Sequence, residues 1–266
     1  MKLSFIGAGN VAWHLSQALE NAGHSVQEIF SKDLKNAQSL VAHLYNAKIQ
    51  TTLNFTHSTA KVFFLCVTDD SMPEVVQQLV LPEDSVLIHT SGSKSLADLD
   101  KVINLHSDIP IKTGVFYPLQ TFTKGFKVDF SEIPICIEAE DEAVEQILIG
   151  LGQDISDITY AVSSEERRVL HVAAVFACNF TNHLLAISQE LLKDNDLEFE
   201  LLKPLISETF RKAMTSEDIS KVQSGPASRG DQKTITQHLL FLKQQPDYQQ
   251  VYRILSESIT EKKEKL

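Results

Sequence analysis

The stretch Leu3-Ser4-Phe5-Ile6-Gly7-Ala8-Gly9-Asn10-Val11-Ala12 decides the fold. A short apolar run meets a G-x-G-x-x-A turn. Val11, Leu15 and Leu19, with Ala12 and Ala18, then recur at helical spacing. Gly7 permits a tight strand-to-helix turn, Gly9 lets the backbone approach a pyrophosphate, and the small Ala12 lets helix pack close on strand. Along Ala8-Gly9-Asn10-Val11 the free N–H groups of a helix N-terminus would face the anion. A βα turn without a ligand can carry the same glycines, so the motif gains its meaning from the strand before it, the helix after it and the pattern beyond.

That pattern continues. The first helix stops at Asn21-Ala22-Gly23, and Val26–Phe30 reads as the next strand. Asn36–Leu44 reads as helix, and Val62–Val67 as a β-prone run buried on both faces. Met72–Val80 reads as helix with Pro73 near its start, and Val86–His89 as strand. Val115-Phe116 and Ile133–Ile137 follow as strands, then a helix over Glu142–Leu151. Strand alternating with helix predicts an α/β fold: a Rossmann-type, doubly wound parallel sheet over residues 1–161. The texture then becomes helical. Glu165–Lys193 holds no Gly or Pro and reads as one long helix, and Phe199–Met214, Gln232–Lys243 and Asp247–Ile259 as further ones. Pro204 either kinks the second of these or makes it start late. Residues 162–266 are expected to be an all-helical substrate and dimerisation domain.

Composition bounds the partners. Against 24 Lys+Arg stand 35 Asp+Glu, a net charge of −11 over 266 residues, which argues against nucleic acid. The hydrophobic share of 43% and charged share of 22% exclude a disordered chain. Cys66, Cys136 and Cys178 show neither a disulfide framework nor metal-ligand spacing, and read as reduced packing residues. The apolar run at the N-terminus is too short for a signal peptide. The longest elsewhere, Val62–Val67, has six residues, where a membrane helix needs about 20. A soluble, cytoplasmic protein without membrane or metal partners is expected, with a frayed tail over Glu261–Lys265.

The cofactor type is written after the second strand. NAD-binding folds place an acid there for the ribose 2′-hydroxyl. Here stand Ser31 and Lys32, a hydroxyl and a cation that suit a 2′-phosphate, so NADP(H) is favoured over NAD(H). Asp33 could be the same acid displaced by two positions. Val67-Thr68-Asp69-Asp70 and Thr90-Ser91-Gly92-Ser93 end two strands, where ligands of open α/β sheets sit. Val67, Thr68 and Asp69 are assigned to the cofactor, and Ser91, Gly92 and Ser93 to the substrate, with Ser91 also catalytic. Asp69 or Asp70 as a helix cap, and Ser91–Ser93 as a plain turn, would explain the same residues.

The long helix carries a polar stripe. With His171 at 0° and about 100° per residue, Asn182 falls near 20°, Arg168 near 60° and Asn179 near 80°. The remaining circumference is apolar, which predicts a buried helix whose stripe faces a ligand, a polar core network or a dimer contact. His171 and Asn179 are assigned as catalytic, His171 as general acid to a carbonyl oxygen that the amides orient, and Asn182 is assigned to the substrate. Tyr117 and Gln120, in Val115–Phe122, either wall the pocket or belong to the core. Arg229, in Ser224–Asp231, is a candidate anion clamp, and Asp231 a cap for the next helix.

These segments together resemble a family. The chain is similar, over nearly its whole length, to bacterial proteins that join a Rossmann-like domain to a C-terminal helical domain of unknown function. The resemblance rests on G-A-G-N-V-A at 7–12, H-T-S-G-S at 89–93 and G-V-F-Y-P-L-Q-T-F at 114–122. It rests further on R-x-x-L-H-V-A-A-V-F-A-C-N-F-T-N at 167–182 and G-P-A-S-R-G-D at 225–231. More distantly it resembles deazaflavin-dependent NADP reductases, pyrroline-5-carboxylate reductase and β-hydroxyacid dehydrogenases. The resemblance implies a helical domain of the 6-phosphogluconate dehydrogenase C-terminal-like type that forms a homodimer and closes the active site. It leaves open whether a deazaflavin is a co-substrate. One departure stands out. The β-hydroxyacid dehydrogenases carry a catalytic Lys four residues before an Asn, and Val175 occupies that place before Asn179. The expectation is an NADP(H)-dependent oxidoreductase that moves a hydride to or from a small, anionic carbonyl or imine compound. The alternative is a non-catalytic NADP(H)-binding sensor or scaffold.

Overall fold

Val62–Leu65 (β4) is buried along its whole length at the middle of an eight-stranded sheet. The computed structural model describes residues 1–107 and 109–264. The other strands are β1 (Lys2–Ile6), β2 (Ser25–Phe30), β3 (Lys48–Gln50), β5 (Val86–His89), β6 (Lys112–Pro118), β7 (Ile135–Glu138) and β8 (Thr159–Ala161). Their order is β3-β2-β1-β4-β5-β6-β7-β8. Side chains alternate across the sheet. Phe64 therefore joins Phe5, Phe116, Leu15 and Leu148 on one face, while Phe63 and Leu65 join Leu87, Val76 and Ile103 on the other. The first face is covered by α1 (Asn10–Asn21) and α5 (Glu142–Gln153), the second by α3 (Met72–Gln78) and α4 (Leu96–His106). Phe5 stacks on Phe64 at 4.9 Å and Phe116 meets Phe64 edge-on at 5.6 Å, which fixes the sheet at its centre.

The sheet departs from the all-parallel expectation at one place: β7 runs antiparallel to β6. No crossover helix joins these strands. The connection, residues 119–134, leaves and re-enters at the same edge, and its neck is closed by Leu119 N–H donating to Pro134 O at 2.9 Å. Phe122, Val128 and Phe130 hold the connection against the α1 face of the core. The short strands β3 and β8 and the capped helix α4, with its Ser95–Asp98 capping box, add to the elements read from sequence. Between β2 and β3 lies α2 (Leu34–Val41), which starts at Leu34 rather than Asn36 because Asp33 caps it.

The described residues form two compact units, Met1–Cys178 and Asn179–Leu266. The division falls inside the long helix, later than the boundary expected near residue 161. α6 (Ser164–Ala174) belongs to the first unit because fully buried Arg167 ties it to β7 and to Lys94. The helix is also not uniform. Val175–Phe180 is a π-turn, followed by α7 (Thr181–Lys193). The second unit continues with α8 (Lys203–Thr215), α9 (Pro226–Arg229), α10 (Gln232–Phe241) and α11 (Pro246–Glu264). Pro204 stands in the first turn of α8, so that helix starts late and does not kink. α11 is helical to Glu264, where a frayed tail was expected. The last residue of that expectation, Lys265, lies outside the described residues.

The buried-helix expectation is corrected. Val169, Val172, Phe176 and Phe180 are each about half to two-thirds exposed. Ser164–Lys193 spans 30 residues with a window of mean hydropathy 1.4 and none of that window buried. Length and hydropathy would suffice for a membrane crossing, which counting unbroken apolar runs does not detect. Cys178 lies on this exposed stretch and is not a packing residue, whereas Cys136 is buried.

Candidate active site

The glycine turn is built as its sequence requires. Gly7 has φ +112°, and a Cβ there would sit 2.2 Å from the carbonyl oxygen of Cys66. Its N–H donates to Phe30 O at 2.8 Å, which ties the turn to the end of β2. A Cβ built on Gly9 meets nothing within 4 Å, and α1 has no side-chain cap. The first-turn N–H groups of Asn10 and Val11 are therefore left for a ligand, above an open backbone surface. These residues fit a dinucleotide pyrophosphate. Ser31 is half-buried and Lys32 exposed at the end of β2. Asp33 accepts from Lys35 N–H at 2.9 Å, so its carboxylate serves α2.

Lys124 is an addition that sequence reading missed. Its Nζ donates to Ala8 O at 2.9 Å, stands 3.5 Å from Asn36 Oδ1 and lies 5.2 Å from the Trp13 ring centre. His14 helps to place it, stacking on Phe122 at 5.3 Å and bonding Thr123 O at 3.0 Å. No local pattern could announce a lysine delivered from the 119–134 connection to a turn more than a hundred positions earlier.

At the carboxyl ends of β4 and β5 the predicted residues meet. Ser93 Oγ donates to Asp69, and Thr68 Oγ1 lies 2.8 Å from Ser71 Oγ. Ser71, not Asp69 or Asp70, stands at the N-cap position of α3, without a side-chain capping bond, while Val67 is half-buried just past the end of β4. Ser91 Oγ accepts from the N–H groups of Ser93 and Lys94 at 3.1 and 3.0 Å. It braces the turn and keeps its own proton to donate. Ser91 N–H in turn donates to Nδ1 of His89, which is fully buried. Burial, reinforced by the Arg167 charge, pushes the His89 pKa down to about 3, so the ring is neutral with its proton on Nε2.

The structure joins Tyr117 and His171. The Tyr117 hydroxyl lies 3.1 Å from His171 Nδ1, with the rings edge-to-face at 6.0 Å. Burial pushes the Tyr117 pKa up to about 12, so the phenol keeps its proton. Gly92 makes room for both rings: a Cβ there would lie 2.6 Å from His171 Nδ1 and 2.8 Å from Tyr117 Cζ. One helical turn before His171, Arg167 pairs with Glu138 on β7 and donates to Lys94 O. Glu138 also accepts from Ser164 N–H and Oγ–H at 3.1 and 2.8 Å. α6 is thereby pinned at its N-terminus, which aims His171. Arg168, singled out in the stripe, is exposed, and its neighbour Arg167 carries the structural work. The i,i+4 spacing of Arg167 and His171 was the signal for it.

Gln120 is exposed and its Oε1 accepts from Thr121 N–H at 2.8 Å, a local turn contact. Asn179, Asn182 and Arg229 belong to the second unit, where all three are exposed and Asn179 stands in the π-turn. Asp231 caps α10 through Thr234 N–H, as its position implied.

Comparison with known proteins places this arrangement. Residues 2–92 match the family described as NADP oxidoreductase, coenzyme F420-dependent, and residues 133–259 match a domain of unknown function, DUF2520. A candidate NADP oxidoreductase of Bacteroides fragilis is 37% identical, with 98% of each chain covered and a TM-score of 0.89. The chain belongs to this family of NADP oxidoreductases. The same two-part fold recurs in a Thermotoga maritima protein at 21% identity, covering 99% and 98% of the two chains, TM-score 0.65. It recurs in an imine reductase of Myxococcus stipitatus solved with NADP+, at 13% identity, coverage 98% and 92%, TM-score 0.62. No match was found among the curated proteins.

Proposed function

We propose that this family member is an NADP(H)-dependent reductase of small carbonyl or imine compounds that carry an anionic group. The observation that carries the reading is the Tyr117–His171 couple, set beside Gly92 at the carboxyl edge of the sheet. The bound nicotinamide would supply or accept a hydride. The chain's task is then to give the substrate oxygen or nitrogen the matching proton. Tyr117 holds a proton at neutral pH and is placed to donate it, and His171 Nδ1, 3.1 Å away, is placed to hydrogen-bond the phenol oxygen as that proton leaves. Arg167 and Glu138 hold the couple in position, and the Ser91 hydroxyl is available to the anionic group. NADP(H) over NAD(H) is supported by Ser31 and Lys32 and by the commitment of Asp33 to α2. Asn179, Asn182 and Arg229 remain assigned to the substrate as part of this reading. The fold shared with an imine reductase favours an imine among the substrates to test first.

A homodimer through the helical region belongs to the same proposal. Among the described residues of the second unit only Ile187, Ala227, Ile235 and Leu242 are buried apolar ones, while Leu201, Leu205, Phe210 and Met214 are well exposed. A second copy suits these surfaces better than lipid, because Arg168, His171, Asn179, Asn182 and His183 interrupt the apolar helix. The three cysteines, none in a disulfide, suit a cytoplasmic setting.

The test is NADPH consumption with a panel of imines and keto acids. Tyr117→Phe and His171→Ala should each lower turnover about 100-fold or more, with NADPH binding retained. Turnover by neither wild type nor variants, with NADPH still bound, would leave the sensor or scaffold reading in its place.

A further inference from the structure

We infer that Lys124 is a cofactor-selecting residue, its ammonium clamping the 2′-phosphate of NADP(H) together with Ser31 and Lys32. The inference rests on the NADP(H) reading above and names a residue that the Rossmann turn itself does not contain. Lys124 touches two elements that border the adenosine end of such a site. One is the glycine turn, through Ala8 O at 2.9 Å, and the other is the first turn of α2, through Asn36 at 3.5 Å. Ser31 and Lys32 close the gap between those elements, because Gly7 N–H is bonded to Phe30 O directly before them.

The contacts also show that the charge is not spent. An ammonium has three N–H donors. Ala8 O takes one, and Asn36 Oδ1 is a long second partner. Among the described residues Lys124 forms no ion pair with a carboxylate, whereas Lys112 is paired with Asp141 and Arg167 with Glu138. Asp33, the nearest acid in sequence to Asn36, is turned to its own helix by Lys35 N–H. A lysine that served only to tether the connection could be replaced by any neutral donor. Here the tether is already supplied by Phe122, by Phe130 and by the His14 bond to Thr123 O. What Lys124 adds is an uncompensated positive charge, held 5.2 Å from the Trp13 ring and fixed by a backbone carbonyl of the turn. A phosphate dianion is the ligand group whose charge this complements.

Trp13 is the single tryptophan of the chain and lies beside Lys124, so its fluorescence reports binding at this place directly. The experiment measures Kd for NADPH, NADH, 2′,5′-ADP and 5′-AMP by Trp13 quenching in wild type, Lys124→Met and Lys124→Arg. Methionine keeps the apolar stem over the indole and removes the charge. For Lys124→Met the NADPH Kd is expected to rise about tenfold or more and the NADH Kd by less than about twofold. The preference for 2′,5′-ADP over 5′-AMP should shrink by the same factor, and Lys124→Arg should restore most of the loss. The NADH affinity of the same variant controls for folding and for the lost bond to Ala8. An unchanged NADPH Kd, or equal rises for both dinucleotides, overturns the role of Lys124 while leaving the NADP(H) reading intact. Wild type that binds neither dinucleotide overturns that reading, and the inference with it.

Discussion

Replacing Arg167 by Met should separate the first unit's stability from its cofactor chemistry. Arg167 is completely buried and gives its charge to Glu138, which is itself only 19% exposed. Methionine fills a similar volume but leaves the Glu138 carboxylate without its cation and the Lys94 carbonyl without this donor. Removing one member of a buried pair costs about 3–5 kcal/mol. The two bonds from Ser164 still reach Glu138, which argues for the lower half of that range. Domains usually have only about 5–15 kcal/mol in total. The melting temperature of the first unit should therefore fall by roughly 6–16 °C, at about 2–4 °C per kcal/mol. Urea unfolding followed by Trp13 fluorescence reads that unit alone, since Trp13 stands on α1. Glu138→Gln should cost a comparable amount, and the double variant Arg167→Met/Glu138→Gln less than the sum by about 0.5–3 kcal/mol. A loss under about 1 kcal/mol, or strict additivity of the two single variants, would refute the assignment of this pair as the anchor of α6.

Gly92→Ala places a methyl 2.6 Å from His171 Nδ1 and 2.8 Å from Tyr117 Cζ, so the two rings must part. Turnover is expected to fall about 100-fold with NADPH Kd unchanged, and an equal loss of NADPH affinity would show that the crowding acts elsewhere. His89 is neutral in the folded protein, with its pKa pushed to about 3, and its ordinary value is 6.5. Between those values the unfolded chain holds the extra proton, so stability falls as pH drops from 6.5 toward 3, by up to about 1.4 kcal/mol per pH unit. His89→Gln should flatten the urea midpoint against pH in that window, and an unaltered slope would mean that His89 titrates normally.

How much of this was legible in the sequence differs by element. Gly7, Gly9 and Ala12 act within a single turn, and every contact that explains them is local or one strand away. β5 was read with its observed limits because four buried apolar or aromatic positions in a row have few other uses. Burial of the long helix was misread, since apolar periodicity reports that a face wants a partner and says nothing of whether the same chain supplies it. The π-turn at Val175–Phe180 was also invisible. It has no Gly or Pro, and it shifts the helical phase that had aligned Asn179 and Asn182 with His171. Tyr117, His171 and Gly92 were each named from sequence, but their meeting was not, because it depends on the pairing of β5 with β6 and on the Arg167 anchor. Lys124 lay beyond reach altogether, as its role follows from a reversal of strand direction.

That reversal has a consequence for how selectivity can change over time. Because β7 returns beside β6, residues 119–134 form a closed excursion whose two ends meet at the Leu119–Pro134 hydrogen bond. Lengthening or exchanging such an excursion costs little in loop-closure entropy, and no strand has to move when its sequence changes. On the inference drawn for Lys124, one of the charges offered to the cofactor is carried on a cassette, separate from the glycine turn and from Ser31-Lys32. A descendant could strengthen or weaken its preference between the two nicotinamide cofactors by rewriting this cassette, with the glycine turn, Ser31-Lys32 and the whole sheet left as they are.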